Sequence, residues 1–178
     1  RIMEKKYNSW KSLFLFCLGL FLASAFCMKW LEPSFIHNGN LFTIIGLELT
    51  YSKEQIFAIL SGIDPHVKSL LRYQLIFDFV FMVGVYPGIL ALNRMAGIKT
   101  GNAKIKSMLH IVSLLQLVAW ACDIIENLYL LKWIDNPTTI NNLTFYHFIV
   151  IAKWAIALAG ICTALLFIFR KKGALLKS

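Results

Sequence analysis

The sequence predicts an all-α polytopic membrane protein: an antiparallel four-helix transmembrane bundle with a short external helical cap. Three observations carry the prediction. The chain is 58% hydrophobic and only 15% charged, with a mean hydropathy of +0.67, outside the range of soluble domains. Four apolar stretches are long enough to cross the bilayer, since about 20 helical residues span about 30 Å of hydrocarbon. Basic residues alternate between the connections that separate these stretches. Residues 1–178 are read as one membrane domain.

The first span is placed at Leu13 to Trp30. Its basic lead, apolar run and Ala23-Ser24-Ala25 resemble a secretory signal with a cleavage site, but the chain runs on unbroken and the segment is read as a retained helix. Residues 31–72 form the external cap. Within it, Ser52 and Gln55 stand at capping-box spacing before Ile56-Phe57-Ala58-Ile59-Leu60, which predicts a short helix over Lys53 to Ser61 stopped by Gly62. Its apolar side chains can face the bundle mouth or the lipid interface. Residues Phe42 to Leu49 are left unassigned between extended and helical.

Asp64-Pro65 is an N-cap followed by proline at the first helical position. A helix starting there can run without a break into the second span, Tyr73 to Leu92, so that it projects about two turns beyond the membrane. Pro87, flanked by Gly84 and Gly88, should kink it. The third span is placed at Met108 to Leu131 and the fourth at Phe145 to Phe169.

The net charge of +9 does not describe a nucleic-acid-binding protein, because its distribution follows the membrane. Arg1, Lys5, Lys6 and Lys11 precede the first span; Arg94, Lys99, Lys104 and Lys106 lie between the second and third; Arg170, Lys171, Lys172 and Lys177 follow the fourth. Glu4 is the single acid among these segments, whereas the remaining chain holds six basic and eight acidic residues. The positive-inside rule therefore predicts cytoplasmic termini and a cytoplasmic Arg94 to Lys106 loop. Such clusters also attract anionic lipid.

Against this apolar background, Asp123, Glu126 and Asn127 are conspicuous. Counted inward from the outer ends of the spans, Asp78, Asp123, Glu126, Asn127 and Lys153 lie within about 6 Å of a common depth. Ser113, Gln116, Trp120, Asp123 and Asn127 follow helical steps of three and four, with Glu126 beside them, and form a polar stripe. Lys153 heads a row of small residues, Ala157, Gly160 and Ala164, which favours close helix approach. A charge at this depth costs at least about 2.5–3.5 kcal/mol on insertion scales and should face a partner. Lys153 with Asp123 is the expected pair. Three carboxylates then face one ammonium, so Lys29 or Arg72 must reach in, or a proton or ligand must balance the excess.

No catalytic motif accompanies the cluster. The histidines His37, His66, His110 and His147 show no metal-binding spacing, and His147 alone stands near the cluster's depth, as a weak candidate for a metal site with Asp78, Asp123 and Glu126. Nucleophile-elbow, phosphate-loop and dinucleotide-binding glycine patterns are absent. Cys17, Cys27, Cys122 and Cys162 read as small apolar side chains in the spans, with a Cys27–Cys122 disulfide left open by their similar depth. Asn142-Leu143-Thr144 matches a glycosylation sequon.

Taken in order, Leu47-Glu48-Leu49-Thr50, Ile59-Leu60, Asp78-Phe79-Val80-Phe81, Asp123-Ile124-Ile125-Glu126-Asn127 and Lys153-Trp154 resemble a family of small bacterial four-span membrane proteins. The resemblance implies a bacterial inner-membrane location and the same four-span plan. It brings no reaction, and no residue's role follows from it.

The expected function is therefore an outward-facing acidic pocket that binds or relays a cation, a proton or a small polar ligand. Asp123 and Glu126 would carry the site, Asp78 complete it, Asn127 orient it and Lys153 set its charge, with Gln116 on the same stripe. The alternatives are an accessory or structural subunit in which the cluster is an ionic lock, and, third, a membrane-embedded lipid-modifying enzyme. Partners expected are the lipid bilayer and either further copies of the chain or another membrane subunit. No cofactor is indicated.

Overall fold

The computed structural model describes residues 2–169; Arg1 and the basic cluster of Arg170, Lys171, Lys172 and Lys177 lie outside the described residues. The described residues are 86% helical and include four helices long and apolar enough to cross a membrane. These are α1 (Ile2–Leu31), α4 (Pro65–Lys99), α5 (Ala103–Asp135) and α6 (Leu143–Ile168). Between α1 and α4 come a two-stranded hairpin, β1 (Ile36–His37) and β2 (Asn40–Leu41), and two short helices, α2 (Ile44–Glu48) and α3 (Lys53–Gly62).

Each boundary has a local cause. Helix α1 begins well before Leu13 because no glycine or proline interrupts residues 2–18, and Met, Glu and Lys in the lead are good helix formers. The hairpin was not expected from the sequence, although Asn38-Gly39 is a strong signal for a tight turn. Both residues take positive φ, 49° and 77°, which Asn and Gly tolerate. The unassigned stretch contains α2, capped by Thr43, whose Oγ1 accepts a 2.9 Å hydrogen bond from Gly46 N.

Ser52 caps α3, accepting from Gln55 N at 3.2 Å, and also donates to Glu54 at 3.0 Å. Hydrogen bonding by its own backbone and by the Ser52 hydroxyl holds the Glu54 carboxyl below its usual range. Gly62 is the last residue of α3 rather than its stop, and Asp64 caps α4 by accepting from His66 N at 2.7 Å. Asn102 caps α5, its Oδ1 accepting from Lys104 N at 2.9 Å and Ile105 N at 3.2 Å. Pro87 lies inside α4 without ending it.

Helix α4 is the hub, packed against α1, α5 and α6, while α5 also packs on α6. The α1–α4 contact depends on Gly84: a Cβ there would stand 2.6 Å from Phe21 N and 2.8 Å from Cys17 O. Two apolar cores result. One joins Phe35, Leu47 and the α3 residues Ile56 and Leu60 to Leu71, Leu75, Trp133 and Tyr146 on the long helices. Thus α3 turns Ile56 and Leu60 onto the helix ends and leaves Phe57 41% exposed. The other core, with Met82, Tyr86, Ile89, Ala119 and Ala157, lies farther along α4, α5 and α6.

Polar ties cross the same helices. Asn93 donates to Ile89 O and Gly160 O, both at 3.0 Å, and its Oδ1 accepts from Thr163 at 3.1 Å. A donor bridging to a neighbouring helix's carbonyl meets its hydrogen-bonding need where water is excluded.

Candidate functional site: carboxylates around Lys153

Lys153 on α6 is 6% exposed and forms the centre of the site. Its Nζ lies 2.7 Å from Asp123 Oδ1 and 2.7 Å from Glu126 Oε2, and 3.8 Å from Glu48 Oε2. Asp123 and Glu126 reach it together because three residues separate adjacent positions on one face of α5. Asp123 is held by both oxygens: Tyr86 on α4 donates to Oδ2 at 2.8 Å. The contact with Glu126 is an ion pair at the same distance through Oε2, while its Oε1 has no hydrogen-bond partner among the described residues.

One step away, Asn127 donates to Asp78 Oδ2 at 2.6 Å, joining α5 to α4. The cluster therefore holds four carboxylates, those of Glu48, Asp78, Asp123 and Glu126, around a single ammonium. Neither rim cation relieves the imbalance. Lys29 pairs with Glu32 at 2.6 Å, and Arg72 pairs with Asp135. When every group is ionised the cluster is strongly anionic, a state that a low-dielectric interior penalises unless protons or a cation balance it.

Two of the residues singled out in the sequence lie elsewhere. Gln116 is fully buried on the same face of α5, but its Nε2 donates to Val112 O at 3.2 Å and Ile156 O at 3.1 Å, so it ties α5 to α6 beneath the cluster. His147 places Nδ1 2.7 Å from Leu143 O and Nε2 3.0 Å from Thr50 O, and its ring stacks on Tyr51. With both ring nitrogens against carbonyl oxygens, no lone pair points towards the carboxylates. Among the described residues no group of three or more His, Cys, Asp or Glu side chains is arranged to hold a metal. The described cysteines are free, Cys27 and Cys122 included.

Three contributors escaped the sequence reading. Glu48 comes from α2, in the stretch left unassigned; a carboxylate between Leu47 and Leu49 was the available signal. Gln74 and Tyr86 belong with Asp78 and Met82 to a row of four-residue steps along α4, a period that the aromatic and apolar residues around it obscured.

The cluster forms one wall of a cavity of about 320 Å³ between α1, α2, α4 and α6. Glu48, Gln74, Asp78, Tyr86, Asp123 and Lys153 line the polar side together with the Lys29–Glu32 ion pair, and most of the remaining wall is apolar, including Phe21, Phe81 and Trp154. Gln74 is 6% exposed, and its Oε1 has no hydrogen-bond partner among the described residues. A buried amide oxygen without a donor is costly, so this wall presents unused acceptors to whatever fills the space.

Fold and site together define a class: a helical protein with four membrane-grade helices and a buried ionisable layer opening on an apolar cavity. No family model, no curated protein and no solved structure matches the chain.

Proposed function

We propose that the chain is a multi-pass protein of the bacterial inner membrane, an antiparallel four-helix bundle with cytoplasmic termini, whose acidic cluster binds or relays a cation, a proton or a small polar ligand. Membrane insertion is supported by large apolar side chains left exposed along the long helices, such as Phe16, Phe26, Phe148 and Leu166, which water would penalise and lipid would accept. The alternation of basic segments supports the orientation.

The observation that carries the ligand reading is the cavity wall on which Glu48, Asp78 and Asp123 converge with Lys153 and with the unpaired oxygen of Gln74, the Lys29–Glu32 ion pair that also lines it being neutral in itself. Acceptors in excess of donors suit a ligand that donates hydrogen bonds or carries positive charge. The test is native mass spectrometry on the gently extracted protein, followed by titration with sodium, potassium and methylammonium ions. Saturable uptake of one of these, weakened in Asp78→Asn while the protein remains folded, supports the reading. Uptake of none of them, with no change in stability on adding them, sinks its ligand-binding form.

The pairing of Lys153 with Asp123 and Glu126 favours a second reading, an ionic lock in an accessory subunit. A stoichiometric partner chain in the same mass spectrum would support it.

A further inference from the structure

A second cavity, of about 340 Å³, lies at the opposite end of the helices from the cap, between α1, α4 and α5. Lys6, Trp10, Asn93, Arg94, Lys106, Ser107 and His110 supply the polar part of its wall, and among the described residues no carboxylate lines it. Arg94 binds His110 Nδ1 and lies over the Trp10 ring at 5.7 Å. A guanidinium can only donate, so Nδ1 accepts and the ring proton of His110 sits on Nε2. Arg94 Nε is buried and has no acceptor among the described residues.

We propose that this cavity is a binding site for a phosphate-bearing anion, either the headgroup of an anionic phospholipid or a free phosphate. Three cations and a donating imidazole converge where no acidic side chain neutralises them. The guanidinium fork matches phosphate oxygens geometrically, and the lysines add charge from the rim. Trp10, held by Arg94, offers an amphipathic surface of the kind that settles at headgroup level. The position at the helix ends, where lysines can reach an interface, suits a headgroup. The site is separate from the acidic cluster and does not depend on the function proposed for it.

The full chain in neutral detergent, analysed by native mass spectrometry, tests this directly. Phosphatidylglycerol and phosphatidylcholine are titrated separately, and inorganic phosphate is then added alone and in competition. One phosphatidylglycerol per chain, held at least about ten-fold more tightly than phosphatidylcholine, is expected for a headgroup site. Saturable inorganic phosphate without that lipid preference assigns the site to a soluble anion and equally supports the proposal. In either case Arg94→Gln and Lys106→Gln should each weaken binding about ten-fold. Arg72→Gln, a cation already paired with Asp135, should leave it unchanged. Lys106 is exposed, so its variant decides the matter should Arg94→Gln fail to fold. Equal retention of both lipids with no uptake of phosphate, or binding that survives in Lys106→Gln, overturns the proposal.

Discussion

Glu48, on a helix of five residues, brings Oε2 to 3.8 Å from Lys153 Nζ on α6. This relationship links the connection between α1 and α4 to the charge at the centre of the long helices. It also separates Glu48 from the two carboxylates at 2.7 Å, which hold the ammonium more closely. Glu48→Gln should therefore leave folding nearly intact while removing one negative charge from the cavity wall. If the cluster takes a cation, affinity should fall about ten-fold, about 1.4 kcal/mol, in the same titration that detects binding.

Asp123 and Lys153 should behave as a coupled pair. Lys153→Met alone leaves Asp123 and Glu126 buried without a counter-ion and should cost about 3 kcal/mol, whereas Asp123→Asn leaves Lys153 paired with Glu126 at 2.7 Å and should cost less. The double variant should lose clearly less than the sum of the two. Unfolding in graded denaturing detergent measures all four states of the cycle, and strict additivity would show that the contact has no energetic weight.

Gln74→Leu distinguishes a ligand site from a lock. Replacing an amide whose oxygen is buried without a donor by an apolar group of similar size removes a desolvation penalty and should be neutral or stabilising. Ligand uptake should nonetheless weaken, because an acceptor leaves the cavity. A thermal melt and a binding titration on the same sample check both halves; a marked drop in melting temperature would mean that Gln74 has a structural partner.

Gly84→Ala should destabilise the α1–α4 contact. The new Cβ meets backbone atoms at 2.6 and 2.8 Å, which cannot swing aside like a side-chain tip, and overpacking of this kind costs about 1–3 kcal/mol. Gly19→Ala, where nothing lies within 4 Å, is the control, and the two melts compared decide the point.

Cys27 and Cys122 should both react with a small thiol reagent in denaturing detergent without prior reduction, since both are free. Two added masses on the peptides that carry them, found equally with and without reductant, is the expected outcome. Protection relieved by reductant would indicate a disulfide.

The positions of the long helices were legible because they depend on short-range properties. Hydropathy sustained over about 20 residues, Asp64-Pro65 at the start of α4 and Ser52 at the start of α3 act within a turn or two of the chain. The helical period likewise placed Asp123, Glu126 and Asn127 on one face of α5. Helix α1 proved longer than its apolar core, because hydropathy marks what lipid would accept and not where helical hydrogen bonding stops. Asn38-Gly39 is a hairpin-turn signal, but strands of two residues each, Ile36–His37 and Asn40–Leu41, are too short to show an alternating pattern in the sequence.

The amino-acid sequence by itself determined four membrane-grade helices, the caps of α3 and α4 and a polar face on α5, because each follows from neighbours a few residues apart. Only the tertiary structure decided which groups surround Lys153. Glu48 arrives by the docking of α2, Tyr86 by the rotation of α4, and His147 and Gln116 are diverted to carbonyl oxygens at 3.0 and 3.1 Å. Such choices are made between segments 30 residues apart, as Asp123 and Lys153 are, or 97 apart, as Thr50 and His147 are, and farther still for Glu48 and Lys153. They depend on how helix faces rotate and pack against one another, which no local pattern in the chain encodes.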